Sequence, residues 1–267
     1  MSFLPKRIAC LSSESVEVLY ALGEEDRIAG ISGFTVHPPR ARKEKPKISG
    51  FSTARIDKIL AVQPDLVLAF SDLQAEMAAE LVRAGIEVHV FNQRTVAGIL
   101  RFVDTVGRLV GAMDRAAQLI DELEAELGRA RAAALRRDAV PRVFFEEWNE
   151  PLISGIGWAS ELIAIAGGED IYAEKALHPG AKQRIIADPL EPAQRAPDIV
   201  IGSWCGKKFR PEQVLARPGW ENVPAVRDGQ LYEIKSPDIL APGPAAIRLG
   251  LPRLTAIFDA WAAKKSD

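Results

Sequence analysis

The sequence predicts an α/β protein of two Rossmann-like lobes with parallel sheets, joined by one long α-helix, with a ligand cleft between the lobes. Three observations carry this expectation. Short apolar strand patterns alternate with helical ones, the beat of a parallel sheet. Residues 95–137 form a long proline-free segment rich in Ala, Leu, Glu and Arg, all strong helix formers. Two local motifs recur in the same order on either side of that segment. The expected division is therefore a lobe over 1–94, a linking helical segment over 95–137 and a second lobe over 138–267.

The first lobe opens with the strand Ile8 to Leu11, a polar turn Ser12 to Ser15, and a helix from Val16 to Leu22 that Gly23 stops. Ile28 to Ser32 is a second strand. Thr35 to Lys47, with His37-Pro38-Pro39 and the basic run Arg40, Arg42, Lys43, Lys45 and Lys47, reads as a solvated surface loop. Ile56 to Ala61 is a short helix, and Gln63-Pro64-Asp65 turns into Leu66 to Phe70. The unbroken apolar character of that run suits a strand buried on both faces. A helix from Gln74 to Ala84 and a strand from Ile86 to Phe91 complete the lobe.

In the linking segment, apolar residues recur at three- and four-residue steps, first Leu100, Val103, Val106 and Val110, then Leu119, Ile120, Leu123 and Leu127. Gly111 interrupts the pattern and Asp114 is a natural new N-cap. The second lobe restarts with Arg142 to Phe145, a loop Trp148 to Pro151, and a helix Ala159 to Ala166 closed by Gly167-Gly168. Ala187 to Arg195 is a short helix or turn. Ile199 to Gly202 is a strand, Ser203 to Arg210 a loop, and Pro211 opens a helix. Leu231 to Ile234 is a strand after the turn Asp228-Gly229. Pro237 to Pro244 is a loop, and Ala245 to Ala263 a closing helix. Gln63-Pro64-Asp65-Leu66-Val67 recurs as Ala196-Pro197-Asp198-Ile199-Val200, and Leu19 to Asp26 resembles Ile163 to Asp170.

Composition narrows the function classes. The chain has 267 residues, 48% hydrophobic and 26% charged, with a net charge of -2, so nothing in it suggests nucleic acid as a partner. No apolar run approaches the ~20 residues of a membrane helix. Met1 to Arg7 lead straight into the first strand without a charged-then-apolar leader. The chain as it stands is therefore expected in the cytoplasm, or in the periplasm if a leader was removed. Cys10 reads as a buried strand residue.

In lobes of this kind ligands sit beyond the carboxyl ends of the strands. The loops there nominate Ser13, Glu14, Phe34, His37, Phe51, Phe70, Ser71 and Asn92 from the first lobe. From the second they nominate Glu147, Trp148, Trp158, Lys182, Arg184, Trp204, Lys207, Lys208, Ser236 and Asp238. Trp148, Trp158 and Trp204 fall on strand-end loops of one lobe, which points to a flat apolar ligand; plain anchoring of the loops is the alternative. No phosphate loop, zinc spacing or nucleophile–base pair is present. Binding without turnover is the expectation: not an enzyme, with no cofactor or metal required. Cys205 beside Lys207 and Lys208 is expected to have a lowered pKa.

These features together resemble a known family. Ile8 to Glu17, the Pro38-Pro39 loop, Ile56 to Val67 and Ala166 to Ile171, set around a long helix, are similar to the helical-backbone class of ABC-transporter substrate-binding proteins, most of all its vitamin B12-binding members. The similarity runs from Arg7 to Trp261. It implies a monomer that binds a corrinoid such as cobalamin and meets an ABC permease. By position it implies that Phe70 is a pocket aromatic, that Trp148 to Ser154 and Ser236 to Leu240 are pocket loops, and that Glu76 and Glu212 dock onto permease arginines. The expected grip sets Phe70 opposite Trp148, Trp158 and Trp204. Ser13, Glu147 and Ser236 would meet polar edges, and Lys207 or Arg184 any negative group. The cations Lys182, Arg184, Lys207 and Lys208 leave a ferric siderophore, another metal chelate or a carboxylated corrinoid precursor open as ligand. A cytoplasmic corrinoid carrier or corrinoid-processing enzyme is the alternative of another class.

Overall fold

The structure is a computed structural model that describes residues 3–50 and 55–266. Phe51, one of the nominated residues, lies outside them. The chain divides into two units. One comprises the chain up to Gln93, Ala97–Leu123 and Pro242–Ala245; the other comprises Arg94–Val96, Glu124–Ala241 and the chain from Ala246 onward. The segment expected to stand apart as a linker is thus shared, and four residues near the C-terminus return to the first unit.

The first unit alternates strand and helix: β1 (Ile8–Cys10), α1 (Ser13–Ala21), β2 (Ile28–Ser32), α2 (Ala41–Glu44), β3 (Lys47–Ser49), α3 (Ile56–Ala61), β4 (Leu66–Phe70), α4 (Ala75–Arg83) and β5 (Val88–Phe91). Its sheet has the order β3-β2-β1-β4-β5, with every pair parallel. β1 and β4 are buried along their whole length, as their unbroken apolar runs require. One core cluster joins Ala9, Leu11, Ile48, Ile59, Val67, Met77 and Leu81. The basic stretch expected to be all loop holds α2 and starts β3. Arg42 donates to the carbonyls of Gly33 and Thr35, and Arg40 pairs with Glu25, so these cations brace the loop.

Two helices follow, α5 (Val96–Val110) and α6 (Met113–Ala134), separated at Gly111. α5 buries Ile99, Phe102, Val103, Val106 and Val110, and α6 buries Ala116, Leu119, Leu123, Leu127 and Ala130, the helical spacing of a single apolar stripe. At 1.5 Å per residue α6 is roughly 33 Å long. It ends at Ala134, short of the expected Arg137. The boundary between the two units falls within it, after Leu123.

The second unit contains β6 (Arg142–Asn149), β7 (Leu152–Ser154), α7 (Gly157–Ile165), β8 (Glu169–Asp170), α8 (Ala173–Ala176), α9 (Glu191–Gln194), β9 (Ile199–Gly202), α10 (Pro211–Leu215), α11 (Pro224–Arg227), β10 (Leu231–Glu233), α12 (Ser236–Ile239) and α13 (Leu251–Ser266). A π-helical turn, Ala246–Gly250, leads into α13. The strand order is β10-β9-β6-β7, with β8 also paired to β6. This sheet is not wholly parallel as expected: β7 runs antiparallel to β6. β6 runs through the expected loop at Trp148-Asn149 before folding back.

The two recurring motifs adopt recurring geometry. Gln63 and Ala196 both have φ of 47°. The Asp65 carboxylate accepts the backbone N–H groups of Lys6 and Arg7, and the Asp198 carboxylate that of Arg142, so each aspartate clamps the start of its unit's first strand. α1 and α7 end alike. The N–H of Glu24 reaches Leu19 O and that of Gly23 reaches Tyr20 O, while Gly168 reaches Ile163 and Gly167 reaches Ala164. This double bond pattern needs a left-handed residue after the cap, supplied by Gly23 at φ 66° and Gly167 at φ 82°. An arginine then completes each cap: Arg115 in α6 donates to Leu22 O, and Arg137 just past α6 donates to Ala166 O.

Candidate functional site

The two units differ at the carboxyl end of their first strand. β1 stops at Cys10 and the chain turns at once into α1, whose first turn holds Ser13 and Glu14. Ser15 Oγ donates to Ser12 O at 2.9 Å, tightening this turn. Glu14 is buried, and its Oε1 has no hydrogen-bond partner among the described residues. Burial pushes its carboxyl up to about 7. Gly243 lies against it: a Cβ there would sit 2.6 Å from Glu14 Cβ, so only glycine allows the returning Pro242–Ala245 segment this close. Ser13 is half-buried. Phe70, the last residue of β4, is buried at 5% exposure. Its N–H donates to Gln74 Oε1, and Gln74 Nε2 donates to Leu11 O, tying the ends of β4 and β1 together.

In the second unit, β6 continues beyond its last pairing with β9, at Glu146 and Gly202, and carries Glu147 and Trp148 into the antiparallel pairing with β7. Glu146 is buried, accepting Arg217 through two bonds of 2.8 and 2.7 Å and Trp204 Nε1 at 2.9 Å. Glu147 pairs with Arg184 through bonds of 2.6 and 3.2 Å, and Arg184 Nη1 also donates to Ser154 O on β7. Two carboxylates on an otherwise apolar strand are tolerated because each meets a guanidinium in bidentate geometry. Trp148 is half-buried, with its indole N–H held by Glu150 O at 2.7 Å. The Lys207 ammonium lies 4.0 Å from its ring centroid.

Several expectations are corrected. Trp158 is on α7 rather than in a loop; its ring is 2% exposed and its N–H goes to Ile239 O. Trp204, also 2% exposed, packs at 5.1 Å against Phe209 within the core that includes Phe144 and Trp220. Rings this deeply packed are structural in this conformation and offer no face to a solute. Arg184 is buried and committed to Glu147, so it is not a spare cation. The Cys205 thiol is raised, not lowered: desolvation acts first and the Glu147 carboxylate second.

The remaining nominated residues scatter. Lys182, Lys207, Lys208 and Asn92 are exposed, and Ser236 is the half-buried first residue of α12. Glu76 and Glu212 are both exposed, each the second residue of its helix, α4 and α10. Those helices are counterparts, since each follows a strand opened by the recurring Pro-Asp motif. His178 lines a cavity of about 450 Å³ with Arg94, Thr95 and the Gly157, Ser160, Glu161 and Ala164 face of α7. Among the described residues no group of three or more His, Cys, Asp or Glu side chains is placed to hold a metal ion. Sequence reasoning missed Glu146 and Arg217. The paired glutamates within a strand pattern were a signal for the first; nothing local marks the second.

Residues 8–237 match the periplasmic binding protein family. The chain belongs to that family. Among similar sequences, the chain is 24% identical over 241 residues to the vitamin B12-binding protein of Vibrio campbellii, covering 86% of this chain and 82% of that one. It is 23% identical over 260 residues to an uncharacterized ABC transporter substrate-binding lipoprotein of Bacillus subtilis, covering 91% and 77%. The periplasmic heme-binding protein of Roseiflexus sp. RS-1 superposes with a TM-score of 0.82 at 22% identity, over 96% of this chain and 99% of that one. That likeness concerns the fold.

Proposed function

We propose that this protein captures a flat metal chelate, a corrinoid such as cobalamin, for an ABC-type uptake system, and releases it chemically unchanged. The observation that carries the reading is Trp148. It is a half-buried indole at the carboxyl end of an interior strand, its edge fixed by Glu150 and its strand fixed by two partly buried ion pairs. A ring immobilised in this way loses little entropy when a flat ligand stacks on it. Ser236, the half-buried first residue of α12 beyond the carboxyl end of β10, is the polar contact this reading offers in the same unit. The vitamin B12-binding relatives support the ligand class. A transport role requires the compartment outside the cytoplasmic membrane, which fractionation of the producing cells tests.

Equilibrium dialysis against cyanocobalamin tests the reading. One corrinoid retained per chain, recovered with an unaltered absorption spectrum, is expected; no retention, or a converted product, overturns it. For the permease we assign Glu76 and Glu212, exposed carboxylates on equivalent helices of the two units. Glu76→Lys and Glu212→Lys should abolish uptake while leaving retention of the corrinoid unchanged. Loss of retention in these variants would remove them from a docking role.

A further inference from the structure

We propose that Lys207 is a specificity-determining residue, a built-in occupant of the Trp148 face that favours flat ligands carrying a free carboxylate at their rim over ligands with a neutral rim. The inference rests on the reading of Trp148 as the stacking ring and deepens it by naming the charge of the ligand.

The geometry is a cation held over an aromatic face. The Lys207 ammonium is 4.0 Å from the Trp148 centroid and 5.1 Å from that of Trp204. Its loop is pinned to the overrun of β6: Ser203 N–H donates to Glu146 O, Cys205 N–H to Glu147 O, and Lys207 N–H returns to Trp204 O. Trp148 is held in turn by its bond to Glu150 O. The loop backbone and the indole are therefore both held, and the lysine side chain is the part of the contact that can swing.

Charge pairing around this point leaves Lys207 in surplus. Glu146 is taken by Arg217 and Glu147 by Arg184. Lys207 itself is exposed and, among the described residues, pairs with no carboxylate. A flat ligand approaching Trp148 must move this ammonium. A neutral rim gives nothing back, and the lost contact weakens binding by a factor of roughly two to five, the range for an exposed cation–π pair. A carboxylate rim accepts the same ammonium in a charge-assisted bond after a small swing of the side chain. One residue thus disfavours one class and favours the other.

The competing account is that the lysine stem merely covers apolar ring surface. Methionine separates the two, because it keeps an unbranched stem and removes the charge. The probes are cyanocobalamin, whose rim side chains are amides, and its monocarboxylic derivatives, in which one amide is hydrolysed. Both are titrated by tryptophan fluorescence into wild type and Lys207→Met at low salt and at about 0.5 M salt. The variant should bind cyanocobalamin roughly threefold more tightly and the monocarboxylic derivatives about tenfold more weakly. The second effect should shrink with salt. Equal changes for both ligands overturn this proposal alone. Binding of neither ligand by either protein overturns the stacking reading and this proposal with it.

Discussion

The first strands of the two units begin on the same aspartate clamp and part company at the other end. β1 ends after three residues and passes directly into α1, whereas β6 continues to Asn149 and turns back as β7. The framework around them is conserved between units in detail: the left-handed residue before Pro-Asp, the glycine-capped helix, and the arginine on the cap carbonyl. The extra hairpin carries Glu147 and Trp148 and creates the seat for Arg184. The first unit leaves a single buried carboxyl at the matching place. Equivalent scaffolds thus support unlike strand ends, which locates specialisation in the overrun of one strand rather than in the sheet.

The largest expected effect comes from breaking what holds that overrun. Arg217→Met strands the Glu146 carboxylate inside the second unit and should cost about 3–5 kcal/mol in urea denaturation. A loss below about 1 kcal/mol would mean that the strand end does not depend on this pair. The matching carboxyl of the first unit acts through pH. Glu14 has a folded pKa raised from 4.5 to about 7. Its contribution to stability is therefore fully present below about 4.5 and lost as pH rises through about 7, because the folded state holds the proton more tightly than the unfolded one. Between about pH 5 and about pH 8 wild type should lose roughly 2–3 kcal/mol more than Glu14→Gln. Parallel pH profiles would show that the carboxyl finds a partner on ionising. The smallest effect sharpens the shared part of the comparison. Asp65 accepts two backbone N–H groups and Asp198 one. Asp65→Ala should cost roughly 2 kcal/mol and Asp198→Ala roughly 1. The reverse order would show that the two clamps are not equivalent.

Much of the framework was legible in the sequence. Ile56–Ala61, Leu66–Phe70 and Ile199–Gly202 occupy the ranges that their apolar patterns predict, and the helix break at Gly111 falls where the period is interrupted. Such features depend on neighbours within a few residues. The strand end of the second unit depends on residues far away. Glu147 reads as a loop residue and Glu146 draws no assignment, because their partners lie 37 and 71 positions along the chain. Trp204 reads as a loop indole because nothing near it announces that Glu146 will take its N–H. The Cys205 expectation went astray for a related reason: folding brings desolvation and a carboxylate to the sulfur, and the adjacent residues announce neither.

The measurement that tests the central claim most directly is a calorimetric titration of cyanocobalamin into wild type and Trp148→Ala, with the melting temperature of each recorded alongside. If Trp148 is the ring on which the ligand stacks, affinity should fall by roughly ten- to a hundredfold, far more than the modest drop in melting temperature from its lost packing against the core can account for. Unchanged affinity, or an affinity that falls only in step with a lowered melting temperature, would contradict the account and make Trp148 a packing residue of the second unit.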